Sequence, residues 1–186
     1  MPRTKESTAV NGVDVEALKR ALHEFRRDAG LGRFQFRVRN RWQGGTHNRS
    51  KLPGFYGAHE EHEHRGEAFE LVCDEPKPLL GEDKFPNPVE YLLHALAGCL
   101  TTTMVCHAAA RGIRIESVES VLEGDIDVRG FLGLSEDVPR GYQQVRVTLK
   151  VDSDAPPETL EELAKYSPVF NTLTNPLAVE VHVEKA

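Results

Sequence analysis

Apolar and polar residues alternate along this chain with two different periods. A period of two, typical of a strand with one buried face, predicts strands within residues 32–42, 67–75, 114–130, 142–154 and 177–186. A period of three to four predicts a helix over 13–30, which ends at a glycine, and a second one over 155–167, which starts with two prolines. Between these segments, 1–12 has the composition of a disordered tail, and the polar, Gly-rich stretch 43–66 predicts a long loop.

One segment departs from both amphipathic patterns. From Leu92 to Met104 nearly every residue is apolar or small, which indicates a buried helix rather than a surface one. Asn87-Pro88 before it, with Glu90 at the third helical position, has the form of a capping box. The helix should run from there to about residue 110 and stop near Gly112. It would be about 36 Å long, enough to cross a small domain.

The order of these elements predicts the fold class. Strands come first, then the long helix, two strands, the second helix and a last strand. This order indicates an α+β domain with a mainly antiparallel sheet packed on a long, central, buried helix. No apolar run reaches the roughly 20 residues that span a bilayer, and the N-terminal sequence lacks the apolar core of a signal peptide. We therefore expect a cytoplasmic protein without a membrane partner.

Charge is divided unevenly in this chain of net charge −6. Residues 1–41 hold ten Lys or Arg and five Asp or Glu, a net charge of +5, so the remainder carries −11. An acidic body argues against a nucleic-acid partner. The basic N-terminal segment is either an RNA arm or, as we favour, a segment that docks on the acidic body of its own chain or of a partner.

Cys99, inside the apolar helix, is the first candidate for chemistry. Cysteine is often buried as an inert residue, and Cys99 lies too deep in the helix for the N-terminal dipole to favour its thiolate. Cys106 follows at a distance of about 10.5 Å along the helix, too far for a disulfide while the helix is intact. Residues alone thus leave two alternatives open, an inert core thiol and a reactive one with a nearby cation.

Two sequence motifs resemble those of a known family. "FPNPVEYLLHALAGCL", residues 85–100, is similar to the central-helix motif of the OsmC/Ohr proteins, which are osmotically induced or confer organic hydroperoxide resistance. "AKYSPVFNTLTNPLAVEV", residues 164–181, resembles the second motif of that family, Cys-Pro-Val followed by Asn-Thr-Leu and a last strand. The resemblance covers about 34–186, so we divide the chain into an N-terminal tail with an extra helix, 1–33, and an OsmC-like domain, 34–186.

The resemblance implies a two-layer fold in an intertwined homodimer and a thiol-dependent reduction of organic hydroperoxides. Cys99 takes the position of the peroxidatic cysteine, which becomes a sulfenic acid. An arginine from the early strand and loop region would hold the thiolate charged, and Arg49 is our candidate; a glutamate near the helix start would orient it, for which we name Glu90. An external thiol would restore the enzyme, and no cofactor or metal is implied.

The sequence departs from the family pattern at two positions. Ser167 stands where the family has its resolving cysteine, so the usual intramolecular disulfide is not available. Val89 stands where the family has its glutamate, and Glu90 is one position off, about 100° around the helix, where capping is its simplest role. The alternative to a peroxidase with one cysteine is a non-catalytic OsmC-like module that holds a small molecule in an apolar pocket.

Other candidate residues have simpler interpretations. Cys73, on the apolar face of a strand, is either core or a substitute resolving thiol. His59–His64 includes three histidines but lacks the His-Glu-x-x-His spacing, so a solvated loop is favoured over a metal site. His94 and His107, on the buried helix, are favoured as neutral core residues rather than general bases.

Overall fold

The computed structural model describes residues 9–63 and 68–185, and within these ranges the chain has an α+β fold, as predicted. The helices are α1 (Val15–Arg27), α2 (Pro88–Ala110), α3 (Val128–Phe131), α4 (Pro157–Ala164) and α5 (Pro168–Thr174), with 3-10 turns at Ala29–Gly32 and Lys77–Leu79. The strands are β1 (Ala9–Val10), β2 (Val13–Asp14), β3 (Gln35–Phe36), β4 (Arg39–Gly44), β5 (His47–Leu52), β6 (Phe55–Gly57), β7 (Glu60–His62), β8 (Phe69–Cys73), β9 (Ser117–Asp125) and β10 (Gln144–Asp152).

The chain forms two compact units. Unit 1 contains residues 14–92, and unit 2 contains residues 9–13 and 93–185. The boundary between residues 92 and 93 falls within α2, so the beginning of that helix belongs to unit 1 and the rest of it, with Cys99, belongs to unit 2.

Unit 1 holds two small antiparallel sheets, in the orders β4-β5-β8 and β3-β6-β7. The prediction of a loop over 43–66 is therefore wrong, since β5, β6 and β7 lie within it. In β5 the residues are almost all polar, so no apolar alternation marks the strand. Gly44 and Gly45, with φ of 111° and 55°, make the turn that lets β5 pair with β4. The prediction of one half-buried strand over 32–42 is also wrong, because this segment divides between β3 and β4 and Phe36 is 76% exposed.

The N-terminal tail is more ordered than its composition suggests. Residues 9–12, predicted to be disordered, belong to the β1–β2 hairpin, and residues 1–8 lie outside the described residues. Asn11 and Gly12 turn the chain with φ of 54° and 77°, as two-residue hairpins require. The Asn11 side chain also donates to the Ile113 carbonyl at 3.0 Å and accepts from the Ile115 N–H at 2.9 Å. These bonds, within unit 2, join the turn of the hairpin to the segment that follows α2.

Helix α2 follows its predicted course from Pro88 to Ala110, and Gly112 beyond it adopts a φ of 72°. Among the described residues it is the one helix long and apolar enough to cross a membrane. Its buried residues follow one helical stripe and pack within unit 2, the arrangement of a core helix in a globular protein: Leu96, Leu100, Met104, Ala108 and Ala109.

The core of unit 2 forms where α2, the β9–β10 hairpin and α4 meet. Leu160, Leu163 and Ala164 of α4 pack with the α2 stripe, and partly buried residues of both strands complete the cluster. Strands β9 and β10 pair in register over nine residues, from Ser117 opposite Asp152 to Asp125 opposite Gln144. This is the antiparallel sheet packed on a long central helix that the sequence predicted, but only one stripe of the helix is buried, and Leu92, Ala95 and Gly98 are exposed.

The C-terminal segment differs from the prediction. A closing strand was expected over 177–186, but the described residues of this segment form no strand. Its alternating Leu177, Val179, Val181 and Val183 are between 58% and 88% exposed. The alternation is real, but within the described chain it meets no strand to pair with.

Candidate functional site

Cys99 lies near the middle of α2. Its neighbours in sequence are the exposed Gly98 and the buried Leu100, and Leu96, about one turn earlier, is also buried. Its side chain is half-buried, and it is a free thiol, as are Cys73 and Cys106. The helix is continuous from Pro88 to Ala110, so its packing in unit 2 fixes where the thiol stands. Cys99 is therefore a partly accessible residue on a helix whose position is set by core packing.

The start of α2 has the predicted capping box. The Asn87 side-chain oxygen accepts from the Val89 N–H at 2.8 Å, and the Asn87 N–H donates to Glu90 Oε2 at 2.8 Å. The Asn87 amide also donates to the Glu75 carboxylate, and the Tyr91 hydroxyl donates to the Val72 carbonyl at 3.0 Å. Capping is thus the contact that the structure gives to Glu90.

Arg49 lies on strand β5 rather than on the loop that the sequence suggested. Its Nη1 is 2.5 Å from Glu70 Oε2, and Lys51 Nζ is 3.0 Å from the other oxygen of the same carboxylate. The hydrogen bonds from Lys51 and Arg49 lower the pKa of Glu70. Arg49 belongs to unit 1 and Cys99 to unit 2.

A buried carboxylate, Asp74, organises the segment that leads into α2. It has no exposed surface and accepts from the Thr46 hydroxyl at 2.7 Å and from the backbone N–H groups of Glu75, Glu82 and Lys84 at 2.8, 3.1 and 3.1 Å. Burial opposes ionisation, but the bond from Lys84 N–H, together with the other donors, outweighs it and holds the pKa of Asp74 well below its usual range. Sequence reasoning missed this residue, although a strand-ending Asp before a turn-rich segment is a signal for it.

His47 stands beside this carboxylate. Its Nε2 lies 3.2 Å from Asp74 Oδ2 and 3.5 Å from Glu82 Oε2, without the alignment of a hydrogen bond, and its ring meets Phe85 edge-on. The contacts place His47 in the polar cluster that anchors the segment before α2.

Ser167 is completely buried at the junction of α4 and α5. Its hydroxyl accepts from the Phe170 N–H at 3.1 Å, which makes it the N-cap of α5, with Pro168 at the first helical position. The backbone N–H of Ser167 donates to the Ala164 carbonyl at 2.9 Å. The Ser167 side chain therefore caps α5 directly after the end of α4.

The sequence model of the OsmC-like protein family matches residues 81–182 of this chain. That range covers more than half of the chain and includes α2 with Cys99 and the α4–α5 junction with Ser167. The chain belongs to the OsmC-like protein family. No curated protein matches its sequence.

Solved structures of OsmC-like proteins have the same fold. An OsmC-like protein from Mycoplasma pneumoniae aligns with a TM-score of 0.57 and 18% identity, over 75% of this chain and 87% of that one. An OsmC-like protein of unknown function from Vibrio cholerae aligns with a TM-score of 0.51 and 12% identity, over 74% and 92%. At these identities the likeness concerns the fold alone, and it agrees with the predicted OsmC-like architecture.

For an OsmC-like protein, position 167 is the notable one. The sequence predicted that serine replaces a family cysteine there, and the structure gives this serine a capping role in the buried helix junction. The Ser-Pro pair at the head of a helix was a readable signal for that role. A serine hydroxyl cannot form a disulfide.

The other two cysteines are also half-buried. Cys73 is half-buried at the end of β8, and burial together with the charge of Glu75 raises its pKa. A raised pKa disfavours the nucleophilic thiolate. Cys106 lies two turns beyond Cys99 on α2, also half-buried.

The histidines have ordinary structural roles. His59 bonds Asp28 at 2.9 Å, and His62 bonds the Gly57 carbonyl at 3.0 Å and stacks on Phe55, while His64 lies outside the described residues. Of the residues with a described position, no three His, Cys, Asp or Glu are grouped so that they could hold a metal ion. His94 is exposed on α2 rather than buried.

His107 has the surroundings of a neutral histidine. It stacks on Tyr166 with ring centroids 4.5 Å apart, and burial and the neighbouring Arg111 charge lower its pKa. Arg111 Nη1 lies 3.2 Å from His107 Nδ1, and because a guanidinium only donates, Nδ1 accepts.

An apolar groove of about 640 Å³ opens within unit 2. It is lined by Leu100 and Met104 of α2, by one face of β10, by Leu160 of α4 and by Phe170. Glu161 and Lys165, paired at 2.5 Å, stand at its polar rim. Cys99 does not line this groove, so the groove and the thiol are separate features of the unit.

Proposed function

We propose that this OsmC-like protein reduces organic hydroperoxides with Cys99 as its single peroxidatic residue, in oxidative-stress defence. The observation that carries the proposal is the free, half-buried Cys99 on α2, inside the segment that matches the family. The capping role of Ser167 supports a cycle with one protein thiol, because this chain has no cysteine at the second family position.

The proposed cycle has three steps. The Cys99 thiolate attacks the distal oxygen of the hydroperoxide, the O–O bond breaks, and the leaving alkoxide takes a proton and departs as the alcohol. An external thiol then attacks the Cys99 sulfenic acid, which forms a mixed disulfide and releases water. A second external thiol attacks that disulfide, regenerates the Cys99 thiol and leaves the oxidised reductant as its own disulfide.

Two residues are proposed to assist Cys99. A half-buried thiolate needs a neighbouring cation, and we propose Arg49 for this role. Because Glu70 binds its guanidinium at 2.5 Å, Arg49 would have to divide its donors between Glu70 and the thiolate. Glu90, which caps α2, is proposed to act by fixing the helix that carries the thiol.

The proposal includes a homodimer in the cytoplasm. Unit 1 leaves Phe36, Trp42 and Phe69 more than 60% exposed, and large aromatic side chains are enriched at protein–protein interfaces. A second copy of the chain is the proposed cover. Three cysteines without a disulfide among them suit the reducing cytoplasm, which also supplies thiol reductants. A monomer in sedimentation equilibrium at micromolar concentration would contradict the dimer.

Steady-state consumption of cumene hydroperoxide tests the catalytic proposal. Turnover is expected with both a monothiol and a dithiol reductant, since the cycle uses two external sulfur atoms in either case. The Cys99→Ser variant should lose turnover, whereas the matched variant Cys106→Ser, two turns along the same helix, should keep it. Equal turnover in wild type and Cys99→Ser would show that Cys99 is not the peroxidatic residue.

The groove in unit 2 supports a second candidate function, a non-catalytic module that binds an apolar small molecule. Its walls are aliphatic and aromatic, and its volume suits a drug-sized ligand. The test is binding of an apolar fluorescent probe to the wild type and to Leu160→Gln. If the protein consumes no peroxide with any reductant, and the probe binds the wild type but not Leu160→Gln, the binding function is favoured over the enzyme.

A further inference from the structure

Four basic residues form a block on one face of the β4-β5-β8 sheet. Arg41 stands directly opposite Arg49, and Arg39 directly opposite Lys51, on adjacent antiparallel strands. Residues that face each other across strands point to the same side of the sheet. With strands about 5 Å apart and alternate residues about 7 Å apart, the block is a compact rectangle of four cations. We call Arg39, Arg41, Arg49 and Lys51 the basic face.

Acidic residues of the same sheet neutralise only part of the positive charge of the basic face. Glu70, opposite Lys51 on β8, is bound by both Lys51 and Arg49 and balances one of their charges. Within the described residues, Arg39 and Arg41 have no carboxylate within ion-pair distance. Like charges directly opposite each other on paired strands destabilise a sheet. The block therefore holds a net charge of about +3 at a cost in stability, which favours a role for the charge.

The composition of the chain shows that this charge is local. The whole chain carries −6. A long polyanion would meet repulsion from the acidic remainder, whereas a short one that fits the rectangle would not. Guanidinium groups present paired N–H donors that match phosphate oxygens, and three of the four cations are arginines.

We propose that the basic face is a binding site for a small organic polyphosphate, a molecule with two or three adjacent phosphoryl groups. Arg39 and Arg41 supply guanidinium groups that have no carboxylate partner among the described residues. Arg49 and Lys51, both bound to Glu70, supply the cations of the adjacent strand. The site goes beyond the proposed peroxidase function, because its ligand is neither peroxide nor thiol. The two proposals share Arg49, so the tests below substitute Arg39 and Arg41, which have no part in the proposed peroxidase.

Isothermal titration calorimetry of the full-length protein with sodium tripolyphosphate, in roughly 25 mM salt to limit screening, tests the site. We expect saturable binding of one tripolyphosphate per chain, with an affinity that falls as salt is raised. Arg41→Gln and Arg39→Gln should each weaken it by about tenfold or more, since each removes a charged fork. The matched control is Arg140→Gln, an exposed arginine of unit 2, which should bind within about twofold of wild type.

Thermal unfolding separates a binding role from a structural one. Without anion, Arg41→Gln should unfold at the same temperature as wild type or higher, because it removes the repulsion with Arg49. Tripolyphosphate should raise the midpoint of the wild type and leave that of Arg41→Gln almost unchanged. A lower midpoint for Arg41→Gln without anion would show that the arginine is structural, and would overturn the proposal.

Three further results would overturn the assignment. The first is no saturable binding to the wild type, and the second is an equal loss in Arg140→Gln, which would indicate non-specific attraction. The third is displacement of tripolyphosphate by a single-stranded oligonucleotide whose affinity grows with its length, since that would make a nucleic acid the ligand. None of these results bears on peroxide turnover, so failure here and failure of the proposed enzyme are distinguishable.

Discussion

All eight buried hydrophobic side chains of the described residues lie in unit 2, whereas unit 1 has none, although both units expose large apolar side chains. In unit 2, α2 packs with α4 and the β9–β10 hairpin. In unit 1, the fully buried side chain is that of a charged residue, Asp74, and Trp42 is 71% exposed. Unit 2 thus has an apolar core, whereas the most buried side chain of unit 1 is a hydrogen-bonded carboxylate.

The same difference separates the two residues of the proposed chemistry. Cys99 stands on a helix fixed by core packing, so its position is rigid. Arg49 stands on an exposed sheet and is held by an ion pair with Glu70. Exposed ion pairs contribute little to stability, so the arginine is the more adjustable partner.

Loss of apolar packing should produce the largest effect on stability. Leu100→Ala in the core of unit 2 should lower the free energy of unfolding by about 2–5 kcal/mol, because it leaves a cavity in packed surroundings. Trp42→Ala in unit 1 should cost much less in the monomer and should instead shift the proposed dimer toward monomer.

Urea unfolding at several protein concentrations measures both effects. The expected result is a loss for Leu100→Ala at every concentration and a loss for Trp42→Ala that shrinks as the protein is diluted, because wild type and variant are then both monomers. Equal, concentration-independent losses in the two variants would show that the units do not differ in this way.

The polar anchor of unit 1 should show itself in pH dependence. Asp74→Asn replaces an acceptor with a donor facing backbone N–H groups, so its unfolding midpoint should fall by roughly 5 °C or more at pH 7. The folded pKa of Asp74 lies below the ordinary value of 3.8. Its ionised form therefore stabilises the fold above that value, and this contribution is lost as the pH falls through the folded pKa.

Thermal melts between pH 7 and pH 2 check this sign. The difference between wild type and Asp74→Asn should be constant from pH 7 to about 5 and should shrink below pH 4. A difference that grows on acidification would mean that the carboxylate is not stabilised in its ionised form.

The cap at Ser167 should have the smallest effect of the three. Ser167→Ala removes the acceptor for the Phe170 N–H, at an expected cost of about 1 kcal/mol, and Ser167→Cys should cost a similar amount because sulfur is a weak acceptor. Ser120→Ala, which removes a hydroxyl from an exposed position on β9, is the matched control. If both alanine variants unfold like the wild type, the hydroxyl does not cap α5 to any useful extent.

The parts that could be predicted from the sequence are those whose signal is local. The course of α2 follows from its apolar run, the Asn87–Glu90 capping box and Gly112, and all three act within a few residues. The β9–β10 hairpin follows from alternation on two adjacent strands. The proposed roles of Cys99 and Ser167 came from motifs, not from spacing.

The parts that could not be predicted depend on distant partners. Strand β5 pairs on both edges but has few apolar residues, so its strand character comes from the sheet around it. Asp74 is buried because Thr46 and three backbone N–H groups converge on it, which no residue spacing reveals. The segment 177–183 shows the reverse, an alternation without a partner strand in the described chain.

The central claim is that Cys99 is the peroxidatic thiol, and trapping of its sulfenic acid tests it most directly. The protein is treated with cumene hydroperoxide in the presence of dimedone, and the labelled peptides are quantified over time by mass spectrometry. We predict that Cys99 is labelled first, that Cys73 is slow because burial raises its pKa, and that Arg49→Ala slows the labelling of Cys99. Labelling of Cys73 or Cys106 ahead of Cys99, or of no cysteine at all, would contradict the claim.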